Sequence, residues 1–237
     1  MLARLGLIEK ERAKQTVDLA WPRILTGIAR MSKNAADVAM VGLALGPAAI
    51  NGVGFATPYW GAAFSLGGGF AAGTIALVSQ RYGADRHDLL GQAIRSSVAL
   101  VVLVSIPFAV LFWLVPETLV SVLTSTQSEI TYGARYLSIL ALGVPFASLN
   151  LIGSRALIGA DDAWTPMVLR GSGAAANILL NAVFIFGLDM GVAGAAWGTV
   201  LANVLVTSSL AVGVARGGLP LIGAFPITVD PFGTYFD

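Results

Sequence analysis

The first long apolar stretch of the chain, residues 21–45, contains five polar side chains that could do chemistry in a membrane: Arg23, Arg30, Lys33, Asn34 and Asp37. Placing an ionisable group at bilayer depth costs about 2.5–3.5 kcal/mol on insertion scales, so such groups are rare and mark ion or substrate pathways. Asp37 is the acidic residue of this set and could carry a proton or a cation. Pro22 opens the stretch and predicts a bend in a helix there, because proline lacks an N–H and its ring clashes with the preceding turn.

Two interpretations of Asp37 follow from its neighbours. Lys33 precedes it by four residues and Asn34 by three, so both are expected on the same helical face. Asp37 is either an ion-coupling carboxylate or one half of an internal ion pair with Lys33 that neutralises two buried charges. Lys33 is therefore a candidate counter-charge, and the residues alone leave both interpretations open.

More polar groups lie in two later apolar stretches. Asn177 and Asn181 are one helical turn apart, and Thr199 lies in the next stretch. Amide and hydroxyl oxygens can ligate a hard cation such as Na⁺, and such side chains also hold membrane helices together. A Na⁺ site that combines these three residues with Asp37 is one hypothesis, beside proton coupling and helix packing.

Composition indicates a polytopic membrane protein. Of the 237 residues, 56% are hydrophobic and 11% are charged, whereas soluble domains carry about 25% charged residues. The sequence contains no cysteine, and its single histidine, His87, lies between two charged residues in a polar connection. These features argue against a membrane-embedded enzyme, and we expect no cofactor other than a coupling ion, H⁺ or Na⁺.

Apolar stretches of about 20 residues predict membrane-crossing helices. The chain has six such stretches, at residues 17–44, 52–80, 91–114, 131–157, 166–187 and 191–215. We therefore expect an all-α membrane protein with a six-helix lobe over residues 17–215, between a cytoplasmic segment (1–16) and a cytoplasmic linker (216–237). The linker is rich in turn residues, and we expect it either to lead into a segment absent from this sequence or to lie on the cytoplasmic surface.

Lys and Arg are concentrated on one side of the predicted spans. They occur in the N-terminal segment, around residues 81–95 and 155–170, and at Arg216, whereas the alternate connections carry acidic residues and Arg135 is the one cation nearby. Because cytoplasmic loops are enriched in Lys and Arg, we expect a multi-pass cell-membrane protein with both termini of this chain in the cytoplasm. Asp37 then lies toward the outer side.

Several segments resemble the N-terminal lobe of the MATE (multidrug and toxic compound extrusion) transporters and are most similar to the DinF-like branch. These segments are WPRILTGIARMSKNAADVAMVG, GTIALVSQRYGA, LIGSRALIGADDAWTPMVLRGSG and NILLNAVFIFGLDMGVAGAAWGT. The resemblance implies one six-helix lobe of a twelve-helix transporter, whose partner is a missing C-terminal lobe or a second copy. It also implies antiport of drugs or lipophilic cations by alternating access, coupled to H⁺ or Na⁺.

The resemblance also implies roles for individual residues. Pro22 matches the proline that lets the first helix bend, and Asp37 matches the ion-coupling aspartate. The remaining positions that match the family's coupling cluster are Asn34, Asn177, Asn181 and Thr199. Asn181 cannot ionise and stands where some relatives carry a second aspartate. Because two carboxylates would bind Na⁺ more strongly than one, this difference favours H⁺.

Two other functions stay open on the sequence. A lipid-linked sugar flippase of the same superfamily would have more cations in its central cavity, for which Arg30, Lys33 and Arg155 are candidates. A homo-oligomeric channel or assembly subunit would account for six spans without a partner lobe, but we find no polar stripe along one helix to line its pore. The expected partners are a small-molecule substrate and the lipid bilayer, with no nucleic acid.

Overall fold

The computed structural model describes residues 10–229, without the side chains of residues 10–19, 22 and 23. Residues 1–9 and 230–237, which belong to the predicted N-terminal segment and linker, lie outside the described residues. The helices are α1 (Lys10–Leu45), α2 (Pro47–Gly83), α3 (Leu90–Leu114), α4 (Pro116–Ser121), α5 (Gln127–Ala141), α6 (Val144–Gly159), α7 (Trp164–Ala182) and α8 (Val192–Arg216).

Three short elements complete the described chain. A 3-10 helix (His87–Leu89) precedes α3, and a π-helix (Val183–Gly187) continues α7. After α8, strands β1 (Gly218–Leu219) and β2 (Gly223–Ala224) pair antiparallel.

Four helical segments in the described range are long and apolar enough to cross a membrane: α2, α3 with its 3-10 turn, α7 with its π-helix, and α8. The predicted span 131–157 is broken rather than continuous, because α5 and α6 meet at a bend of 52° and pass the same test only as a pair. Pro145 lies in the first turn of α6, a position where its missing N–H costs nothing and a new helix begins readily.

Helix α1 supplies the sixth long segment of the predicted lobe. It is 36 residues long, but Arg30, Lys33 and Asp37 interrupt its apolar sequence and keep it below the hydropathy that the other spans reach. The all-α architecture expected for the lobe is present, and the helix with the most polar sequence comes first.

A stripe of small residues on α2 brings the helix backbones close together. The buried positions of this helix are three, four or seven residues apart and are mostly Ala and Gly, as close helix packing in membranes requires. At Gly52, an added Cβ would lie 2.7 Å from the carbonyl oxygen of Glu129 and 2.9 Å from the backbone nitrogen of Gly133, both on α5. Backbone contact between α2 and α5 therefore leaves no room for a side chain there.

The segment after α8 folds back onto the lobe. Gly217 ends α8 in the left-handed conformation, with φ of 72°, as glycine commonly does after a helix. Phe225, Ile227 and Val229 are buried in an apolar cluster with residues of α2, α3, α6 and α8. The N–H of Val229 also donates to the carbonyl of Val214 at 3.2 Å. The first part of the predicted linker is thus packed against the helix bundle.

The α2–α5 contact gives the first prediction. We expect Gly52→Ala to lower the free energy of unfolding by about 1–3 kcal/mol, the usual cost of overpacking, because the new methyl group meets backbone atoms. Gly54→Ala is the matched control in the same helix, since its added Cβ has no atom within 4 Å. Thermal unfolding in detergent compares the two variants, and equal stability would contradict the close contact.

Candidate ion-coupling site and adjoining cavity

Asp37 lies where α1 packs against α7. Its Oδ2 accepts a hydrogen bond from Nζ of Lys33 at 2.5 Å, and its Oδ1 accepts one from Nδ2 of Asn181 at 2.6 Å. Lys33 is one turn earlier on the same helix, so helical spacing alone brings its ammonium to the carboxylate. The Asn181 contact, in contrast, depends on tertiary packing. The Asp37 side chain is 13% exposed and that of Lys33 is 21% exposed, so the pair is largely withdrawn from solvent.

Buried polar side chains continue from Asn181 into the bundle. Asn177, one turn earlier on α7, donates from Nδ2 to Oγ1 of Thr199 on α8 at 3.0 Å. Nδ2 of Asn181 also reaches Oδ1 of Asn177 at 3.5 Å. Tyr136 of α5 is buried, and its side chain lies close to Thr199. Groups from α1, α5, α7 and α8 therefore converge on one site, which we call the Asp37 cluster: Lys33, Asp37, Tyr136, Asn177, Asn181 and Thr199.

The structure separates two of the expected site residues from this cluster. Asn34 is exposed and forms no hydrogen bond within the described part of the chain, because consecutive residues diverge by about 100° around a helix and Lys33 takes the face toward Asp37. Pro22 lies earlier in α1, which is helical from Lys10 to Leu45, and its side chain is outside the described residues.

Tyr136 is the member of the cluster that the sequence did not single out. A tyrosine in an apolar stretch is a weak signal, since tyrosines also form the interfacial belts of membrane proteins. Only the fold shows that this one faces Thr199 and Asp37.

Both oxygens of the Asp37 carboxylate accept hydrogen bonds. A hard cation needs several oxygen ligands, but both Asp37 oxygens already accept N–H donors. Of the four predicted Na⁺ ligands, Asn181 alone has an oxygen, Oδ1, that is buried without a hydrogen-bond partner. Within residues 10–229 no group of three His, Asp or Glu side chains could hold a metal ion. Among the predicted Na⁺ ligands, Oδ1 of Asn181 is thus the oxygen without a hydrogen-bond partner, and the Lys33 ammonium lies beside the carboxylate.

A cavity of about 260 Å³ adjoins the Asp37 cluster and shares Lys33 and Thr199 with it. We call it the basic cavity, because its described lining contains four cationic side chains and neither Asp nor Glu. Its walls come mainly from α1, α6, α7 and α8, and its distinctive lining residues are Arg30, Lys33, Arg155, Arg170, Asn150 and Asn203. The sequence had indicated Arg30, Lys33 and Arg155 as cavity cations but not Arg170.

A second polar network links the wall of the basic cavity to the Asp37 cluster. Nδ2 of Asn150 donates to Oδ1 of Asn203 at 3.0 Å, and Oγ1 of Thr207 donates to Oδ1 of Asn150 at 2.7 Å. Nδ2 of Asn203 in turn donates to the carbonyl of Thr199 at 2.9 Å. These residues were not singled out from the sequence, where isolated amides and hydroxyls in spans look like ordinary interhelical contacts.

The fold and this site define a class: a polytopic α-helical membrane protein in which one six-helix lobe holds a largely buried carboxylate beside a polar cavity. Such placement of ionisable groups is characteristic of proteins that move ions or solutes. Comparison with known proteins narrows the class to a family.

The MatE family model matches residues 22–183, and the chain belongs to this family. It is 27% identical over 185 residues to DNA damage-inducible protein F of Escherichia coli K12 and 29% identical over 199 residues to multidrug resistance protein PmpM of Pseudomonas aeruginosa. These matches cover 78% and 82% of this chain, but 40% and 41% of the relatives. The chain thus spans about two fifths of the length of these curated relatives.

A solved structure shows the same fold. A crystal structure of MATE in the bent conformation matches with a TM-score of 0.80 at 23% identity, over 92% of this chain and 48% of that one. The predicted one-lobe architecture and the resemblance to MATE transporters, including the DinF-like branch, are confirmed.

The contact between Lys33 and Asp37 gives the second prediction. We expect a double-mutant cycle of Lys33→Gln and Asp37→Asn to give a coupling free energy of about 0.5–3 kcal/mol in stability, the range for residues in contact. Each single change leaves the other charge without its partner, whereas the double change removes both charges.

The control for this cycle is Arg86 with Asp88, an ion pair of the connection before α3, at 3.3 Å and with both side chains more than half exposed. Exposed pairs contribute little, so a cycle of Arg86→Gln and Asp88→Asn should give no resolved coupling. Thermal unfolding in detergent measures both cycles. Additive effects at Lys33 and Asp37 would show that the two side chains do not stabilise each other.

Proposed function

We propose that this chain is the N-terminal lobe of a proton-coupled antiporter that exports drugs and other lipophilic compounds by alternating access. The observation that carries the proposal is the position of Asp37, a largely buried carboxylate whose oxygens are held from two helices at once. Relatives named as multidrug resistance proteins support the substrate class, and coverage of less than half of each relative supports a further lobe in the working transporter.

Proton binding at Asp37 would change both of its contacts. A neutral carboxyl group loses its attraction for the Lys33 ammonium and gains an O–H donor. Oδ1 of Asn181 is a buried acceptor without a partner, and rotation of that amide group would let it accept the new donor. Asp37 and Asn181 can thus be bonded in either protonation state, with the donor and acceptor roles exchanged.

The same step would release Lys33 from its ion pair with Asp37, and it would replace a charge-assisted hydrogen bond between α1 and α7 by a weaker neutral one. Because Pro22 cannot donate a backbone hydrogen bond, α1 has a weak point at which it can bend. We propose that bending there moves Asp37 toward or away from Asn181, so that protonation and the conformation of the lobe depend on each other.

We also propose an orientation in the cell membrane. The ends of α2 and α8 carry Arg81 and Arg216 in their last turns, and cytoplasmic ends of membrane helices are enriched in such residues. Both termini of this chain then lie in the cytoplasm, and Asp37 takes up protons toward the outer side.

The coupling role of Asp37 is the third prediction. We expect Asp37→Asn to abolish export driven by a proton gradient, because the amide cannot exchange a proton, while expression and folding persist. Dye efflux from proteoliposomes with an imposed pH gradient measures this. Glu117→Gln is the matched control, an exposed acid of α4 outside the cluster, and should transport as the unchanged protein does. Normal gradient-driven efflux by Asp37→Asn would refute the coupling role.

The choice of ion is the fourth prediction. We expect replacement of Na⁺ by choline at constant pH gradient to leave the efflux rate unchanged, because both Asp37 oxygens face N–H donors rather than an ion. The same vesicles without the pH gradient but with a Na⁺ gradient should show only passive leak. Efflux that follows the Na⁺ gradient would contradict proton coupling. It would support instead a Na⁺ site formed by Asp37, Asn177, Asn181 and Thr199.

A further inference from the structure

We infer that the basic cavity binds an oxyanion, a phosphate or carboxylate group carried by an amphiphilic substrate. The inference rests on the proposed function and deepens it, because it names the chemistry of the transported compound. A cation, the common expectation for a multidrug exporter, is the ligand that this cavity is least suited to hold.

The charges in the cavity are unbalanced. Lys33 has Asp37 as its partner, but Arg30, Arg155 and Arg170 form no ion pair with any described residue. Arg170 also lies close enough to Arg155 and Arg30 to experience their like charge. Three guanidinium groups therefore share one cavity, and the described residues offer them no carboxylate.

Such a set is unfavourable unless an anion joins it. Like charges close together repel, and the described residues offer these three guanidinium groups no carboxylate. A bound phosphate or carboxylate would offset the repulsion and give each guanidinium group an oppositely charged partner. The planar guanidinium group matches these oxyanions with two parallel N–H bonds, which explains why arginines rather than lysines form most of the set.

The uncharged residues that line the basic cavity suit the uncharged part of an amphiphilic molecule. Asn150 and Asn203 supply amide groups, whereas Phe64, Leu151 and Val206 supply apolar surface. Drug-sized ligands occupy pockets of about 300–1,000 Å³, so a cavity of about 260 Å³ accommodates a head group and the first part of a chain. The basic and apolar sides together suit a molecule with an anionic head and a lipophilic tail.

Binding measurements on the purified protein in neutral detergent test this inference without any ion gradient. The probes are dodecyl phosphate, dodecyltrimethylammonium with the same alkyl chain, and inorganic phosphate. We expect dodecyl phosphate to bind and dodecyltrimethylammonium neither to bind nor to compete. The combined change Arg155→Gln and Arg170→Gln should weaken dodecyl phosphate binding at least tenfold. Arg135→Gln removes an exposed arginine outside the cavity and should leave binding unchanged.

Further binding measurements test the oxyanion site even if the double variant folds poorly. Salt should weaken dodecyl phosphate binding to the unchanged protein, because it screens charge attraction. The charge-conserving Arg155→Lys should retain more affinity than Arg155→Gln, because it keeps the charge but loses the bidentate geometry. Tighter binding of dodecyl phosphate than of inorganic phosphate indicates an amphiphile. Equal affinities indicate a free anion, and both results support the oxyanion site.

Three results would overturn the inference: preferential binding of dodecyltrimethylammonium, dodecyl phosphate binding that is insensitive to salt, or undiminished binding in a folded double variant. Because the assay needs no gradient, anion binding without proton-driven export would refute the proposed function alone. Export without anion binding would refute only the oxyanion site.

Discussion

The contact of Asp37 with Lys33 and Asn181 is the interaction on which the account of this lobe depends. A carboxylate so largely withdrawn from solvent is stabilised because one oxygen accepts a hydrogen bond from the ammonium of Lys33 on its own helix and the other accepts one from the amide of Asn181 on α7. Helical spacing brings Lys33 to Asp37, so this contact is kept when α1 moves. The hydrogen bond from Asn181 exists only while α1 packs on α7. In the proposed mechanism this contact links the protonation of Asp37 to the position of α1.

Lys33 connects the two polar regions of the lobe. It neutralises Asp37 on one side and lines the basic cavity on the other. When Asp37 is ionised, the Lys33 charge is compensated locally; when Asp37 is neutral, the same charge adds to those of the three arginines. One side chain can therefore transmit the protonation of the cluster to the electrostatics of the cavity, without a long pathway between them.

The sequence predicted the all-α architecture and the residues Asp37, Lys33, Asn177, Asn181 and Thr199 because uninterrupted apolar stretches and costly polar groups within them are local signals. Local signals in the sequence do not reveal which distant helices contact each other or where a long apolar stretch bends. Packing between distant helices places Tyr136 in the Asp37 cluster and Arg170 in the basic cavity. The bend before Pro145 divides an apolar stretch that the sequence predicts to be one span. Asn34 follows Lys33 in the sequence but lies on the exposed side of α1, because consecutive residues of a helix differ by about 100° in direction. The packing of α7 against α1 decides which of these directions is covered.

Direct observation of the Asp37 carboxyl group tests the central claim most closely. Infrared difference spectra between acidic and neutral pH should contain a carboxylic acid C=O band that is absent from Asp37→Asn and shifted in Asn181→Ala, because the amide group bonds to this carboxyl group in either protonation state. A spectrum in which no titrating carboxyl band disappears with Asp37→Asn would contradict the claim that Asp37 carries the coupling proton.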